Sequence, residues 1–208
     1  MTQPTRYEAV VSHWEDWQQA YRFGVLLIFP PNPLLAQVNA LRATYDSQSQ
    51  ATCDAHISLT RPLPGPMTEA HWSELEAIVA GISPFPIQVG PLRHYLPYPG
   101  VCLAIEPQDG LDRLRLTLET ASVFAGAPPR KYPFSAHMTI AEFISVEQTE
   151  RLMDGLQATA PKSIFICAHV SYAVPDAHFH FTERRRLILG RKASHPASHS
   201  PPARVAER

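Results

Sequence analysis

Two periods of apolar and polar residues alternate along this chain, and the points where one gives way to the other mark its elements. Residues 23–29 (Phe-Gly-Val-Leu-Leu-Ile-Phe) are a run of β-formers stopped by Pro30 and Pro31, which reads as a buried strand. Residues 34–45 carry Leu34, Leu35, Val38, Leu41 and Tyr45 at helical spacing, with Asn32 as the candidate cap. At 56–61 (His-Ile-Ser-Leu-Thr-Arg) polar and apolar side chains alternate, the mark of a strand with one wet face. A helix over 69–81 and a strand over 85–96 follow. After a turn at 97–100 the order begins again: a strand at 101–105, then a helix over 111–123 with Leu111, Leu114 and Leu118 on one face. A Gly/Pro-rich loop at 126–129 leads into a second alternating strand at 136–143. Ser145 caps the next helix with Gln148 as its capping-box partner, and strands at 164–174 and 178–189 close the pattern. Ahead of it all, residues 8–21 predict a short N-terminal helix. Both halves run strand, helix, His-bearing strand, helix, strand, so a diverged duplication of βαβαβ units is the simplest account.

Composition narrows the class. At 208 residues, 45% hydrophobic and 18% charged, the chain suits one globular domain, and its 21 prolines imply many loop corners. No apolar run is long enough to span a bilayer, and the first residues hold no signal-peptide core. Cys53, Cys102 and Cys167 form no CxxC pair, which fits a reducing compartment, so the expected location is cytoplasmic. The net charge of −1 is unevenly spread: from Arg184 onward seven Lys/Arg face one Glu, while residues 1–183 hold eleven basic and eighteen acidic residues. An acidic body argues against a broad grip on duplex nucleic acid. The expected division is an N-terminal extension (1–21), a main domain (22–190) and a disordered basic tail (191–208), with an RNA-binding arm as the other reading of the tail.

Five histidines are followed two residues later by Ser or Thr: His56, His71, His137, His169 and His180. His71 lies in a helical pattern, where such pairs diverge. His180 has no counterpart in the first half, and His169 with Ser171 is the serious competitor. Only His56 and His137 occupy matching places in the two repeats. On a strand, residues i and i+2 share a face, so His56 with Ser58 and His137 with Thr139 would face each other across a pseudo-twofold axis. Two imidazoles across a phosphodiester can divide acid and base duties, while the hydroxyls steady the charge on the phosphate.

His56-Ile-Ser-Leu and His137-Met-Thr-Ile resemble the paired His-x-Thr/Ser-x motifs of the two-histidine (2H) phosphoesterase superfamily, which includes the bacterial 2′-5′ RNA ligases, also called RNA 2′,3′-cyclic phosphodiesterases. The resemblance covers roughly residues 22–190 in element order. It implies a bilobed α+β fold with antiparallel sheets lining a central cleft, and hydrolysis of cyclic or 2′-5′ phosphodiesters with neither metal nor cofactor. It implies His56 and His137 as the acid/base pair, Ser58 and Thr139 as the phosphate holders, and RNA termini or a small cyclic nucleotide as substrate. One departure stands out: many relatives have Pro before the second His, where this chain has Ala136.

Other side chains are candidates for substrate contact. Tyr132 and Phe134 either stack a base or pack into the core or loop. Arg61 falls on the face opposite His56 if its strand continues, so a phosphate role there needs a bend. Arg130 and Lys131 lie in the loop before the second motif, within reach of a phosphate or simply solvated. A zinc site from Cys53, His56, Cys167 and His169 is a minor alternative, and His178 with His180 reads as a surface pair on one strand face. Arg184–Arg186 are expected to be solvated at a sheet edge. The competing reading of the whole is a non-catalytic RNA- or nucleotide-binding module on the same fold.

Overall fold

Each half of the chain completes the other's sheet. The computed structural model describes residues 5–95 and 97–191. In the first half, β1 (Val25–Ile28) pairs antiparallel with β2 (Ile57–Ser58), and in the second β4 (Gly100–Glu106) pairs antiparallel with β5 (His137–Glu142). A later strand of each half crosses over. β3 (Phe85–His94) joins β4, while β7 (His169–Pro175) joins β1. With β6 (Ser163–Cys167) and β8 (Phe181–Ile188) at the margins, the result is two four-stranded antiparallel sheets, ordered β2-β1-β7-β8 and β5-β4-β3-β6. This is the expected α+β duplication with its pseudo-twofold relation.

The helices α2 (Leu34–Tyr45), α4 (Glu69–Ala80), α5 (Gln108–Leu118) and α6 (Val146–Leu156) pack their apolar stripes onto these sheets. Leu34 and Val38 of α2, Trp72, Leu75 and Val79 of α4, and Leu111, Leu114 and Leu118 of α5 share one core with Leu26, Ile28, Ile57, Met138 and Ile140 from the strands. β1 is apolar at every position because both its faces are covered. Leu26 and Ile28 face that main core, whereas Val25 and Leu27 meet a second cluster of Trp14, Ala173, Phe179 and Phe181.

That second cluster explains the N-terminal segment. Residues 8–21 are not one helix; only α1 (Asp16–Gln19) forms. The segment is held by rings instead, with Trp14 and Trp17 edge-on to Phe179 at 5.1 and 5.3 Å and Tyr21 edge-on to Phe181 at 5.8 Å.

Other expectations are revised. Asn32 does not cap α2; Pro33 takes the cap position and no side chain closes it. The helix expected over 111–123 starts earlier and ends at Leu118, followed by a short 3-10 turn at Ser122–Phe124. The apolar run 164–174 is two strands in different sheets, broken at Ala168. An unanticipated helix α3 (Ser47–Thr52) carries no apolar period and starts where the Asp46 carboxylate accepts from the Ser49 amide. At β8 the arginines are not all solvated: Arg185 lies 4.5 Å over the Trp72 ring and pairs with Glu76, and Arg186 pairs with Glu183. The Ser145–Gln148 capping box is present as expected. The tail expected over 191–208 lies, past Arg191, outside the described residues, and among those described no helix is long and apolar enough to cross a membrane.

Gly24 enters β1 at φ +85°, and a Cβ there would collide with the Ala173 carbonyl oxygen and meet the Tyr172 ring at 2.8 Å. Both the backbone angle and the space demand glycine. Gly24→Ala is therefore expected to lower unfolding free energy by about 2–4 kcal/mol, read as a reduced urea midpoint with unchanged slope.

Candidate active site

Strand register decides which side chains reach the cleft. Ser58 stands opposite Leu27, His137 opposite Ala104, and Thr139 opposite Cys102. Directly opposed residues share a face, so Ile57, Met138 and Ile140 fill the core while the His-x-Ser and His-x-Thr side chains emerge on the other side. A cavity of about 910 Å³ opens there, with His137 and Ser58 in its wall. His56 is set back, edge-on to Phe29 with ring centroids 6.2 Å apart, and Thr139 is half-buried.

The two imidazoles are held in the same way. Nδ1 of His56 lies 2.7 Å from the Asp54 carbonyl oxygen, and Nδ1 of His137 lies 2.7 Å from the Ser135 carbonyl oxygen. A carbonyl only accepts, so each Nδ1 carries the proton and each Nε2 is left for chemistry. Burial pushes His56 down to about 4; its bond to Asp54 opposes this, while charge on Arg42 and His137 adds to it. Burial and the Arg93 guanidinium likewise hold His137 below its ordinary 6.5. Both rings are thus neutral at pH 7, and each disfavours a second proton on the pair.

Several residues of this site carried no signal in the sequence. In each half, the first helix sends a carboxamide to the residue before the histidine. Asn39 Oδ1 of α2 accepts from the Ala55 amide at 2.8 Å, and its Nδ2 donates to the Asp54 carboxylate at 2.8 Å. Gln108 Oε1 of α5 accepts from the Ala136 amide at 2.8 Å, and its Nε2 donates to the Ala136 carbonyl at 2.7 Å. This gives Ala136 a physical meaning: a proline would lack the N–H that Gln108 holds. Arg42, 3% exposed, spans the two motifs by donating to the carbonyls of Thr139, Ser49 and Cys53 at 2.9, 2.7 and 3.0 Å. Tyr95 packs edge-on to His137 at 4.9 Å, and Arg93 donates to Ser135 Oγ at 2.8 Å.

The candidate contacts fall along one side of the cavity. β2 ends at Ser58, and the Leu59 and Thr60 amides both turn to the Leu26 carbonyl. This is the bend that Arg61 needed, and Arg61 lines the cavity. Its Nη1 also donates to the Ala127 and Pro128 carbonyls. Arg130 is not a solvated loop residue; it donates to the Leu59 carbonyl at 2.7 Å and to Glu119 at 3.1 Å. Phe134 lies under the guanidiniums of Arg115 and Arg130, at 5.2 and 5.4 Å. Lys131 sits 5.3 Å over Tyr132, whose hydroxyl meets that of Tyr98 at 2.6 Å.

The other histidines are engaged elsewhere. His71 closes a helix cap with Thr68, and Ser171, the partner of His169, is fully buried against Glu183. His178 is in the turn before β8, not on a strand face, and His180 Nδ1 donates to the Ala51 carbonyl. The four side chains of the zinc alternative do not converge, and among the described residues no three His, Cys, Asp or Glu are grouped to hold a metal. Burial raises the thiols of Cys53 and Cys167 to about 12.

Gln108→Met leaves the buried Ala136 amide without its acceptor and is expected to cost about 1–3 kcal/mol in urea unfolding. In an Ala136→Pro background, which has no such amide, the same change should cost less by about 1 kcal/mol, the coupling a double-mutant cycle reads.

The family model of the 2′-5′ RNA ligase superfamily matches residues 30–179. No curated protein matches the chain. Among solved structures, a phosphoesterase is 19% identical over 80% of this chain and 97% of its own, with a TM-score of 0.54. The protein TT0787 of Thermus thermophilus is 13% identical over the same shares with a TM-score of 0.53. E. coli LigT complexed with 3′-AMP is 15% identical, again over 80% and 97%, with a TM-score of 0.53. These likenesses of fold extend over four fifths of the chain, and the family match takes in both histidine strands: the chain belongs to the 2′-5′ RNA ligase superfamily of phosphoesterase- and RNA-ligase-like enzymes.

Proposed function

We propose that this chain is a phosphodiesterase that hydrolyses 2′,3′-cyclic or 2′-5′ phosphodiesters of RNA ends or nucleotides, with His56 and His137 as its acid/base pair. The observation that carries this reading is the matched tethering of the two rings, each with Nδ1 on a backbone carbonyl two residues upstream and, among the described residues, no hydrogen bond at Nε2. The 3′-AMP bound to E. coli LigT is in keeping with a nucleotide ligand for this cleft.

On a 2′,3′-cyclic phosphate one bare Nε2 takes a proton from water as its oxygen bonds to phosphorus. The other imidazole, protonated, gives its Nε2 proton to the ribose oxygen as the P–O bond breaks. One proton enters the pair and one leaves it, and proton exchange with solvent after product leaves returns each imidazole to its starting state for the next cycle. Ser58 and Thr139 donate to the non-bridging oxygens, where charge builds in the transition state. The reaction draws on no cofactor.

Incubation with nucleoside 2′,3′-cyclic phosphates and a short RNA ending in a cyclic phosphate, with EDTA present, is the direct test. Monophosphate product is expected, and His137→Ala should lower kcat by about 10²–10⁴-fold while the protein stays folded. A nucleotide that binds but is never hydrolysed would favour the binding module instead.

The pH profile follows from the two shifts. The working pair holds one proton, and His56 titrates at about 4 while His137 titrates below 6.5. Below about 4 both rings are protonated and no base remains; above the His137 value both are bare and no acid remains. The kcat/KM profile should therefore peak below pH 6.5 and fall roughly tenfold per unit on its alkaline side. An optimum above pH 7 would remove the imidazole pair as the titrating groups.

A further inference from the structure

The cleft has the wrong charge for its protein. Residues 1–183 carry eleven Lys/Arg against eighteen Asp/Glu, yet the wall of the 910 Å³ cavity holds Arg61, Arg93, Arg130 and Lys131 and, among the described residues, no carboxylate. These cations form two groups. Arg93 bonds Ser135 beside His137, at the end where the histidines act. Arg61, Arg130 and Lys131 form the other, where a further cavity of about 560 Å³ shares their side chains.

The second group is short of anions. One carboxylate, Glu119, at 8% side-chain exposure, lies 3.2 Å from Arg61, 3.1 Å from Arg115 and 3.1 Å from Arg130. Asp112 also takes up Arg115. Two carboxylates thus serve three guanidiniums, and Lys131 adds a fourth cation. Burial holds Arg130 below its ordinary value, and although Glu119 opposes this, repulsion from Arg115 and Arg61 adds to it. An arriving anion would relieve that repulsion.

Donors are available to meet it. Arg61 uses Nη1 on the Ala127 and Pro128 carbonyls, and Arg130 uses Nη2 on Leu59 and Glu119. Nη2 of Arg61 and Nη1 of Arg130 take no part in these bonds. The Arg130 guanidinium also lies 5.4 Å over the Phe134 ring. Two guanidiniums held in place with spare N–H edges suit the oxygens of a phosphate.

We propose that Arg61 and Arg130 form a second phosphate subsite, so that the ligand of this cleft carries one phosphate beyond the one between the histidines. This rests on the reading of the cleft given above. The second phosphate has two chemical sources, a terminal 5′-phosphate monoester or an internucleotide phosphodiester.

Equilibrium binding separates them. Adenosine 3′-phosphate, adenosine 3′,5′-bisphosphate and a diadenosine dinucleotide ending in a 3′-phosphate are titrated into the full chain at pH 7 and low salt. At least one two-phosphate ligand should bind about tenfold or more tightly than adenosine 3′-phosphate, and which one does so names the source. Arg130→Met should cut that advantage to about threefold or less, Arg130→Lys should keep part of it, and Arg61→Met serves as the second variant if the first unfolds. Equal affinities for all three ligands, or an advantage that survives in both Met variants, overturns the subsite. Since the readout is binding, equal affinities alongside His137-dependent hydrolysis strike the subsite alone. Absent hydrolysis with the advantage intact strikes the catalytic reading alone.

Discussion

Everything at the cleft depends on strand register. The period of a strand is two, so a slip of one residue would exchange Ile57 with Ser58 and Met138 with His137. Ile57, Met138 and Ile140 are all fully buried, and such a slip would drive polar side chains into the core and apolar ones into solvent. The apolar residues therefore aim the histidines. The crossing of β3 and β7 adds a second constraint, because neither sheet is complete without a strand from the other half. Arg42 and the Asn39 and Gln108 carboxamides then settle the last fraction of placement, from positions that touch neither imidazole.

Electrostatics divide the molecule differently from the fold. The body is acidic, and Glu142, which sits by the Arg42 network, is raised by burial with Ser49 opposing. The cleft is the exception, with cations at two places and neutral imidazoles between the sheets. Burial is the first cause of the depressed histidine values, so the neutral form comes from loss of water more than from any neighbour.

Much of this was legible in the sequence, for reasons that can be named. The alternation at 56–61 and 136–143, matched in the two halves, gave the face on which His56, Ser58, His137 and Thr139 emerge. The Ser145–Gln148 box gave a helix start because its two bonds are local. What stayed hidden was nonlocal. Asn39 and Gln108 are separated from Ala55 and Ala136 by 16 and 28 residues, and no spacing rule links them. Arg42 reaches Thr139 across 97 residues. The N-terminal segment misled because rings from Trp14, Trp17 and Tyr21 read as a mixed helix, when their partners Phe179 and Phe181 lie at the far end of the chain. Ala168 divides one apolar run between two sheets, which local pattern has no means of marking.

That long-range closure bears on the order in which the protein takes shape. β1 is covered on one side by a cluster that includes Ala173, Phe179 and Phe181, and the Tyr172 hydroxyl donates to the Phe23 carbonyl across 149 residues. A ribosome adds roughly 5–20 residues per second, so this first strand waits about 7–30 s for its neighbour to be made. During that interval a four-residue, wholly apolar strand has one open edge and one uncovered face. β7, though late in the sequence, is the piece that ends this exposure.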